Sequence, residues 1–171
     1  MEDYKLNNNW ILWFHHPNDN NWSEESYIKV AEITSIKDFW MIVKTIPDFL
    51  HGMFFLMRSD VFPRWEDINN LDGGYWTFRI LKKDADKIWQ DLMKALIGET
   101  LTERHKDIDG ITGISISPKV NNCILKIWNK NAVNRDIGML CKNIPGLNYM
   151  ESMYRKHQDH ENFQKEIIIK P

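Results

Sequence analysis

Cysteine is scarce in this chain, with two residues in 171. Cys123 and Cys141 fit no metal-ligand spacing and sit in apolar segments, which predicts reduced, buried thiols rather than a disulfide. No run approaches the roughly 18 apolar residues of a membrane span. The opening Met1-Glu2-Asp3-Tyr4-Lys5 lacks the basic start and apolar stretch of a secretory signal. A soluble, cytoplasmic, monomeric protein is the expectation. There is no nucleophile elbow, no phosphate-binding glycine loop and no CxxC pair, so the common covalent, nucleotide and thiol chemistries lack their signatures. His157-Gln158-Asp159-His160 has chelating side chains but no further Cys or His at a suitable spacing, so neither a metal nor a cofactor is expected. Charge of one sign is lacking too: the net charge is −2, which argues against nonspecific coating of nucleic acid.

What is present is unevenly placed. Residues 1–110 carry 13 Lys+Arg against 19 Asp+Glu, while residues 111–171 carry 9 against 5, so the second part is a candidate phosphate-facing side. The length suits one domain over 1–171 with a single core, and there are no repeats, linkers or low-complexity tracts.

Strand patterns recur at Trp10–Phe14, Tyr27–Glu32, Tyr75–Leu81, Ile111–Ser117, Cys123–Trp128 and Glu166–Ile169, with Asp72-Gly73-Gly74 a strong turn signal before the Tyr75 run. Three helices are expected. The first starts at a Ser35 N-cap and carries Ile36, Phe39, Trp40 and Val43 toward Pro47. The second places Ile88, Trp89, Leu92, Met93 and Leu96 at helical spacing before Gly98. The third follows Asn131 through Val133, Ile137, Leu140, Cys141 and Ile144 to Pro145-Gly146. Strands with scattered helices, without strict alternation, predict an α+β fold with an antiparallel sheet.

Most of the eight tryptophans lie in apolar periodic segments and read as core. Trp22 and Trp65 differ. Trp22 follows the polar, turn-rich run His15-His16-Pro17-Asn18-Asp19-Asn20-Asn21, and Trp65 sits in Pro63-Arg64-Trp65-Glu66-Asp67, so both indoles are presented by loops. Two indoles with an adjacent carboxylate suit 7-methylguanine. Its delocalised positive charge strengthens stacking on electron-rich rings, by roughly 0.5–2 kcal/mol per face. Its two adjacent N–H donors match one carboxylate in bidentate fashion, a pair that adenine does not offer.

The ordered motifs Trp10-Ile11-Leu12-Trp13-Phe14, Trp22, Asp38-Phe39-Trp40, Trp65-Glu66-Asp67, Gly73-Gly74-Tyr75-Trp76, Leu96-Ile97-Gly98-Glu99 and Trp128 resemble the messenger-RNA cap-binding translation initiation factor 4E family over nearly the whole chain. The resemblance implies a curved antiparallel sheet of about eight strands backed by three α-helices on its convex face, with the cap in the concave slot. It also implies that Trp22 and Trp65 sandwich the base, that Glu66 reads the guanine edge and that Trp128 touches the 7-methyl group. Ile36 and Trp40, with Gln90 and Asp91 on the second helix, match the surface that docks a helical peptide of a scaffold (initiation factor 4G-like) or a 4E-binding repressor. The chain departs from the family pattern where it has Tyr75 in place of an arginine and Ile124 in place of a basic phosphate contact. Lys119 is kept, Lys126 is a candidate substitute, and Arg155, Lys156 and His157 fall in the segment near the nucleotides beyond the cap. Gln90 and Lys94 remove apolar area from the docking surface, which leaves a cap-binding repressor or decoy open beside an initiation factor. A hydrolase of capped RNA using Glu66, Asp67, Glu99 or Glu103 is a third reading, disfavoured because no closely spaced acidic set of the metal-binding type is present.

Overall fold

A computed structural model describes residues 3–159. Its frame is one seven-stranded antiparallel sheet built from β1 (Lys5–His15), β2 (Tyr27–Ser35), β3 (Met53–Arg58), β4 (Gly74–Leu81), β5 (Ile111–Pro118), β6 (Asn122–Asn129) and β7 (Met153–Lys156), in the spatial order β2-β1-β3-β5-β6-β4-β7. Two α-helices, α1 (Ile36–Thr45) and α2 (Lys82–Ile97), interrupt the strands. The α+β class with an antiparallel sheet is as expected.

Alternation sorts the side chains onto two faces. Trp10, Leu12, Leu56, Trp76, Phe78, Ile114, Ile116, Leu125 and Ile127 point one way and join Phe39 and Ile42 of α1 and Ala85, Ile88, Trp89, Leu92, Met93 and Leu96 of α2 in the main core. Their strand neighbours Phe55, Met57, Tyr75 and Trp128 point the other way and form a smaller aromatic cluster with Tyr27 and Val61. The helices therefore cover one face, which leaves the second to be shaped by loops.

Local chemistry fixes the helix ends. Ser35 Oγ accepts from the Asp38 backbone N–H, while the Asp38 carboxylate accepts in return from the Thr34 N–H and hydroxyl, a reciprocal N-cap. Helix α2 stops at Gly98, and Glu99 follows with φ 57°; its buried carboxylate accepts from the Asn7 and Asn8 side-chain amides and contacts the His105 ring.

Three expectations need correction. The helix expected after Asn131 is absent: this stretch is a run of turns with one 3₁₀ turn, Ile137–Met139. Leu140 and Ile144 do reach the core, but Asn131 and Asp136 bond their side chains to nearby backbone N–H groups and divert the chain from helix. The third helical element of more than one turn is instead the 3₁₀ stretch His105–Gly110. Strands β3 and β7 were not anticipated. Met53–Arg58 is apolar on both faces because Phe54 and Leu56 enter the main core while Phe55 and Met57 enter the aromatic cluster opposite, so it shows no alternation to read. The expected strand Glu166–Ile169 lies outside the described residues. Cys123 is buried and Cys141 only half-buried, both as free thiols.

Candidate functional site

On the face away from the helices, a cleft of about 340 Å³ opens between the β1–β2 loop and the β3–β4 loop. Its walls include Trp22, Trp65 and Glu66 from the loops, and its floor includes Tyr27, Phe55, Tyr75, Ser115, Lys126 and Trp128 from the strands. The fold thus brings together residues separated by more than a hundred positions in sequence.

The Trp65 loop is held by two side chains the sequence reading did not single out for this role. The Asp67 carboxylate accepts from the Phe62 and Asn69 N–H groups, and buried Asn70 donates its amide to the carbonyls of Phe62 and Arg64. These polar ties add to the packing of Val61 and Phe62 on the aromatic cluster. Glu66 stays exposed, with both carboxylate oxygens facing the Arg64 guanidinium at 3.3 Å. Arg64 also approaches Glu24 at 3.6 Å, so it links the Trp65 loop to the segment just after Trp22. The hydrogen bond to Glu66 is the main reason its guanidinium is held above its ordinary range.

Trp22 is 47% exposed and lies flat on buried His15, with ring centroids 4.0 Å apart and planes 3° from parallel. Trp128 is buried in the floor, where its indole N–H donates to Ser115 Oγ at 3.0 Å. Its ring meets Tyr75 and His157 at 6.0 and 4.8 Å. Burial pushes the Tyr27 hydroxyl up to about 12, with the Arg64 charge opposing and Glu66 adding.

Lys126 rises from the floor beside these rings, its ammonium 4.0 Å from the centre of Tyr75. Burial, reinforced by the charges of Lys119 and Arg155, lowers its amine to about 8. Tyr75 is itself buried under that ammonium, so the sequence position where an arginine was expected supplies a platform for a lysine.

The other basic candidates separate by face. Arg155 pairs with Tyr75 across β4 and β7 and stays exposed on the cleft side. Lys156 opposes Gly74 and borders a different hollow with Asp72, Asn131, Arg135 and Gln158, so the structure does not bring it to the cleft. His157 is fully buried among the floor aromatics rather than on a solvated surface, and its backbone N–H donates to the Gly73 carbonyl at 3.1 Å. Gly73 is needed on its other side, where the end of β6 packs against it: a Cβ there would come within 1.8 Å of the Asn129 carbonyl oxygen. Lys119 is exposed in the β5–β6 turn. Ile124 faces Arg79 across β4 and β6, an exposed arginine that the sequence reading passed over.

On the helix side, Ile36 and Trp40 are 44% and 46% exposed and Met41 lies beside them at 55%, an apolar patch on α1. Gln90 donates to Asp86, and both carboxylate oxygens of Asp91 take lysines, Lys87 and Lys94, each at 2.6 Å. Those hydrogen bonds hold the Asp91 carboxyl below its ordinary range. Among the described residues, no group of three or more His, Cys, Asp or Glu is placed to hold a metal, and no helix is long and apolar enough to cross a membrane.

The sequence profile described as eukaryotic initiation factor 4E matches residues 5–170. The chain belongs to the initiation factor 4E family. It is 33% identical to eukaryotic translation initiation factor 4E of Saccharomyces cerevisiae over 137 residues, which are 75% of this chain and 62% of that protein. Against the Dictyostelium discoideum factor it is 28% identical over 169 residues, 91% of this chain and 65% of the relative. The chain spans 56 to 63% of the length of the curated relatives it matches first. Among solved structures, C. elegans eIF4E-3 in complex with the 4E-binding protein Mextli and cap analog has the same fold, with a TM-score of 0.78 at 22% identity over 94% of this chain and 96% of that one. Ascaris suum eIF4E-3 with m2,2,7G cap gives 0.69 at 23% identity over 78% and 77%.

Proposed function

We infer that this member of the initiation factor 4E family binds the 7-methylguanosine 5′ cap of messenger RNA. In this reading Trp22 and Trp65 stack on the two faces of the base, Glu66 accepts its two edge N–H groups, and Trp128 in the floor packs toward the 7-methyl group. The observation that carries it is the convergence of these four residues on one cleft, with Lys126 in the same floor for the triphosphate. Relatives solved with cap analog or an m2,2,7G cap support the ligand class. The protein acts by binding, without a covalent step: a carboxylate paired with a cationic base is an acceptor and not a general base.

Recruitment of a scaffold or 4E-binding helix through Ile36 and Trp40 belongs to the same reading, supported by their exposure and by a relative solved with a 4E-binding protein. A second reading, a cap-binding repressor or decoy that does not engage the usual scaffold, is favoured by one observation. Both oxygens of Asp91 are occupied by Lys87 and Lys94, which leaves it a poor acceptor for an incoming partner.

Quenching of intrinsic tryptophan fluorescence by 7-methylguanosine triphosphate, compared with unmethylated guanosine triphosphate, tests cap binding. Clear preference for the methylated ligand is expected, and equal quenching by both sinks the reading.

A further inference from the structure

Arg79 lies outside the cleft walls, yet β4 gives it the cleft's side of the sheet. Alternation from Tyr75, which packs in the aromatic cluster, puts Thr77 and Arg79 on that face, and on β6 it puts Trp128, Lys126, Ile124 and Asn122 there. Arg79 pairs with Ile124, whose partner on the other side, Ser117, does line the cleft. These residues form one row across β4, β6 and β5. The row lies roughly 13 Å along β6 from Trp128 at the rise of an antiparallel strand, with Lys126 midway.

The Arg79 guanidinium is held without being neutralised. In the amide orientation that satisfies both groups, the Asn122 side-chain oxygen accepts from Arg79 Nε at 3.0 Å and from Nη2 at 2.8 Å. Arg58, Arg64 and Arg104 each meet a carboxylate, at Asp109, at Glu24 and Glu66, and at Asp107, whereas among the described residues Arg79, Lys119, Lys126 and Arg155 meet none. A neutral amide fixes the fork and leaves its whole charge, with Nη1 and the second N–H of Nη2 for an acceptor. The ordering of a long side chain is then settled before any ligand arrives. The neighbours carry the same sign: Lys119 and Arg155 both act on Lys126. Asp159 acts on Tyr75 at the opposite end of this stretch, where Arg155 opposes it.

We propose that Arg79, positioned by Asn122, binds the third phosphate counted from 7-methylguanosine, so that the far end of the phosphate site moves off β6 at Ile124 and onto β4. The inference rests on the proposed cap reading and extends it to a residue outside the cleft. Trp128 sets where the base ends, Lys126 takes the nearer phosphates, and the fork of Arg79 takes two oxygens of the last.

Calorimetric titration with 7-methylguanosine diphosphate and triphosphate tests it. The wild type should gain affinity from the second ligand to the third phosphate. Arg79→Gln should lower triphosphate affinity about three- to tenfold, as for a charged contact partly screened by solvent, and diphosphate affinity less than about twofold. Lys126→Met should lower both, which separates the two positions. Asn122→Ala should remove part of the triphosphate gain and nothing further in the Arg79→Gln background, because it acts through that side chain. On the unmutated chain, the Arg79 Nε–Hε NMR signal should shift with triphosphate and stay nearly still with diphosphate. An equal loss for the two ligands in Arg79→Gln overturns the proposal, since it would mark a general effect of net charge, and so does an Arg79 signal that ignores the triphosphate. If neither ligand binds, the cap reading falls. Inorganic triphosphate added to the free chain then decides the remaining claim: a shift of the Arg79 signal supports a phosphate site there, and its absence ends the proposal.

Discussion

Arg64 faces both oxygens of Glu66, with contacts of 3.3 Å to each. A guanidinium and the Watson–Crick edge of guanine present similar parallel donors, so under the proposed cap reading Arg64 competes in the free protein for the contacts assigned to the base. Glu66 is exposed and Arg64 half-buried, so solvent screens the pair to about 1 kcal/mol at most. Arg64→Met, which keeps the aliphatic stem and removes the fork, should therefore tighten binding of 7-methylguanosine triphosphate by about two- to fivefold, within that 1 kcal/mol limit. Weaker binding in the fluorescence titration would mean that the Arg64 bridge to Glu24 and Glu66 aligns the two loops, and that its competition with the ligand is secondary.

Removing the stacking and edge contacts has a larger expected effect. Trp22→Ala and Trp65→Ala should each cost about 1–3 kcal/mol of cap affinity. Glu66→Gln replaces one acceptor with a donor aimed at the guanine N–H pair and should cost about as much as a charged hydrogen bond, roughly 1.5–3 kcal/mol. Calorimetric titration of the three variants checks this, and wild-type affinity in Glu66→Gln excludes the carboxylate from the edge contact.

Lys126 supplies a pH prediction. Its amine is lowered to about 8 from an ordinary 10.5, mainly by burial. The folded state therefore disfavours the charged form: the penalty is fully present below about 8 and disappears as pH rises toward 10.5. Lys126→Met should be more stable than the wild type at neutral pH, with the difference closing over that window in urea unfolding. An anionic ligand beside the amine raises its proton affinity, so triphosphate binding near pH 8 should take up a fraction of a proton. Calorimetry in buffers of different ionisation enthalpy measures that uptake, and it should vanish in Lys126→Met.

Two tryptophans on the helix side should respond in opposite ways. Trp89 is fully buried in α2, and Trp89→Ala should cost about 3–5 kcal/mol of stability. Trp40 is 46% exposed, so Trp40→Ala should leave stability within about 1 kcal/mol and keep cap-resin binding, while losing a scaffold-derived helix. Loss of the Trp40 variant from the resin would assign it a structural role.

Much of this was legible because the signals were local. Trp22 and Trp65 stood out as indoles in turn-forming runs, and the structure places both at the cleft mouth. Ser35 announced α1, and the Leu92–Leu96 spacing announced α2. What escaped depends on neighbours distant in sequence. Strand β3 is apolar on both faces because one face packs in the main core and the other in the aromatic cluster, and Lys156 and Arg155 part company only because β7 pairs with β4 and so alternates. His15 looked like loop surface beside His16, yet it is the last residue of β1 and takes the parity of the cleft face. The third helix failed because apolar spacing cannot outweigh Asn131, Asp136 and Gly138, whose local hydrogen bonds favour turns.

The division between Arg155 and Lys156 sharpens a prediction about longer ligands. With Ile124 offering no charge and Tyr75 buried beneath Lys126, the cleft carries fewer cations for the triphosphate than the family pattern implies, so more affinity should come from the first transcribed nucleotides. A cap bearing one or two nucleotides should then bind more tightly than 7-methylguanosine triphosphate alone. Arg155 shares the face of Tyr75, so Arg155→Ala should erase that gain and leave the bare ligand nearly unaffected, whereas Lys156→Ala should change neither. Ile124→Lys should act the other way, adding a charge-assisted contact for the bare triphosphate of roughly 1.5 kcal/mol. That gain should shrink as salt rises, since Arg79 across the strand pair and Lys126 two residues along make the new charge part of a partly exposed cluster. Calorimetry with bare and extended caps against the three variants separates these outcomes. Equal affinities for both ligands in the wild type would rule the idea out, and equal effects of Arg155→Ala and Lys156→Ala would show that net charge, rather than the face assigned by β7, governs the contact.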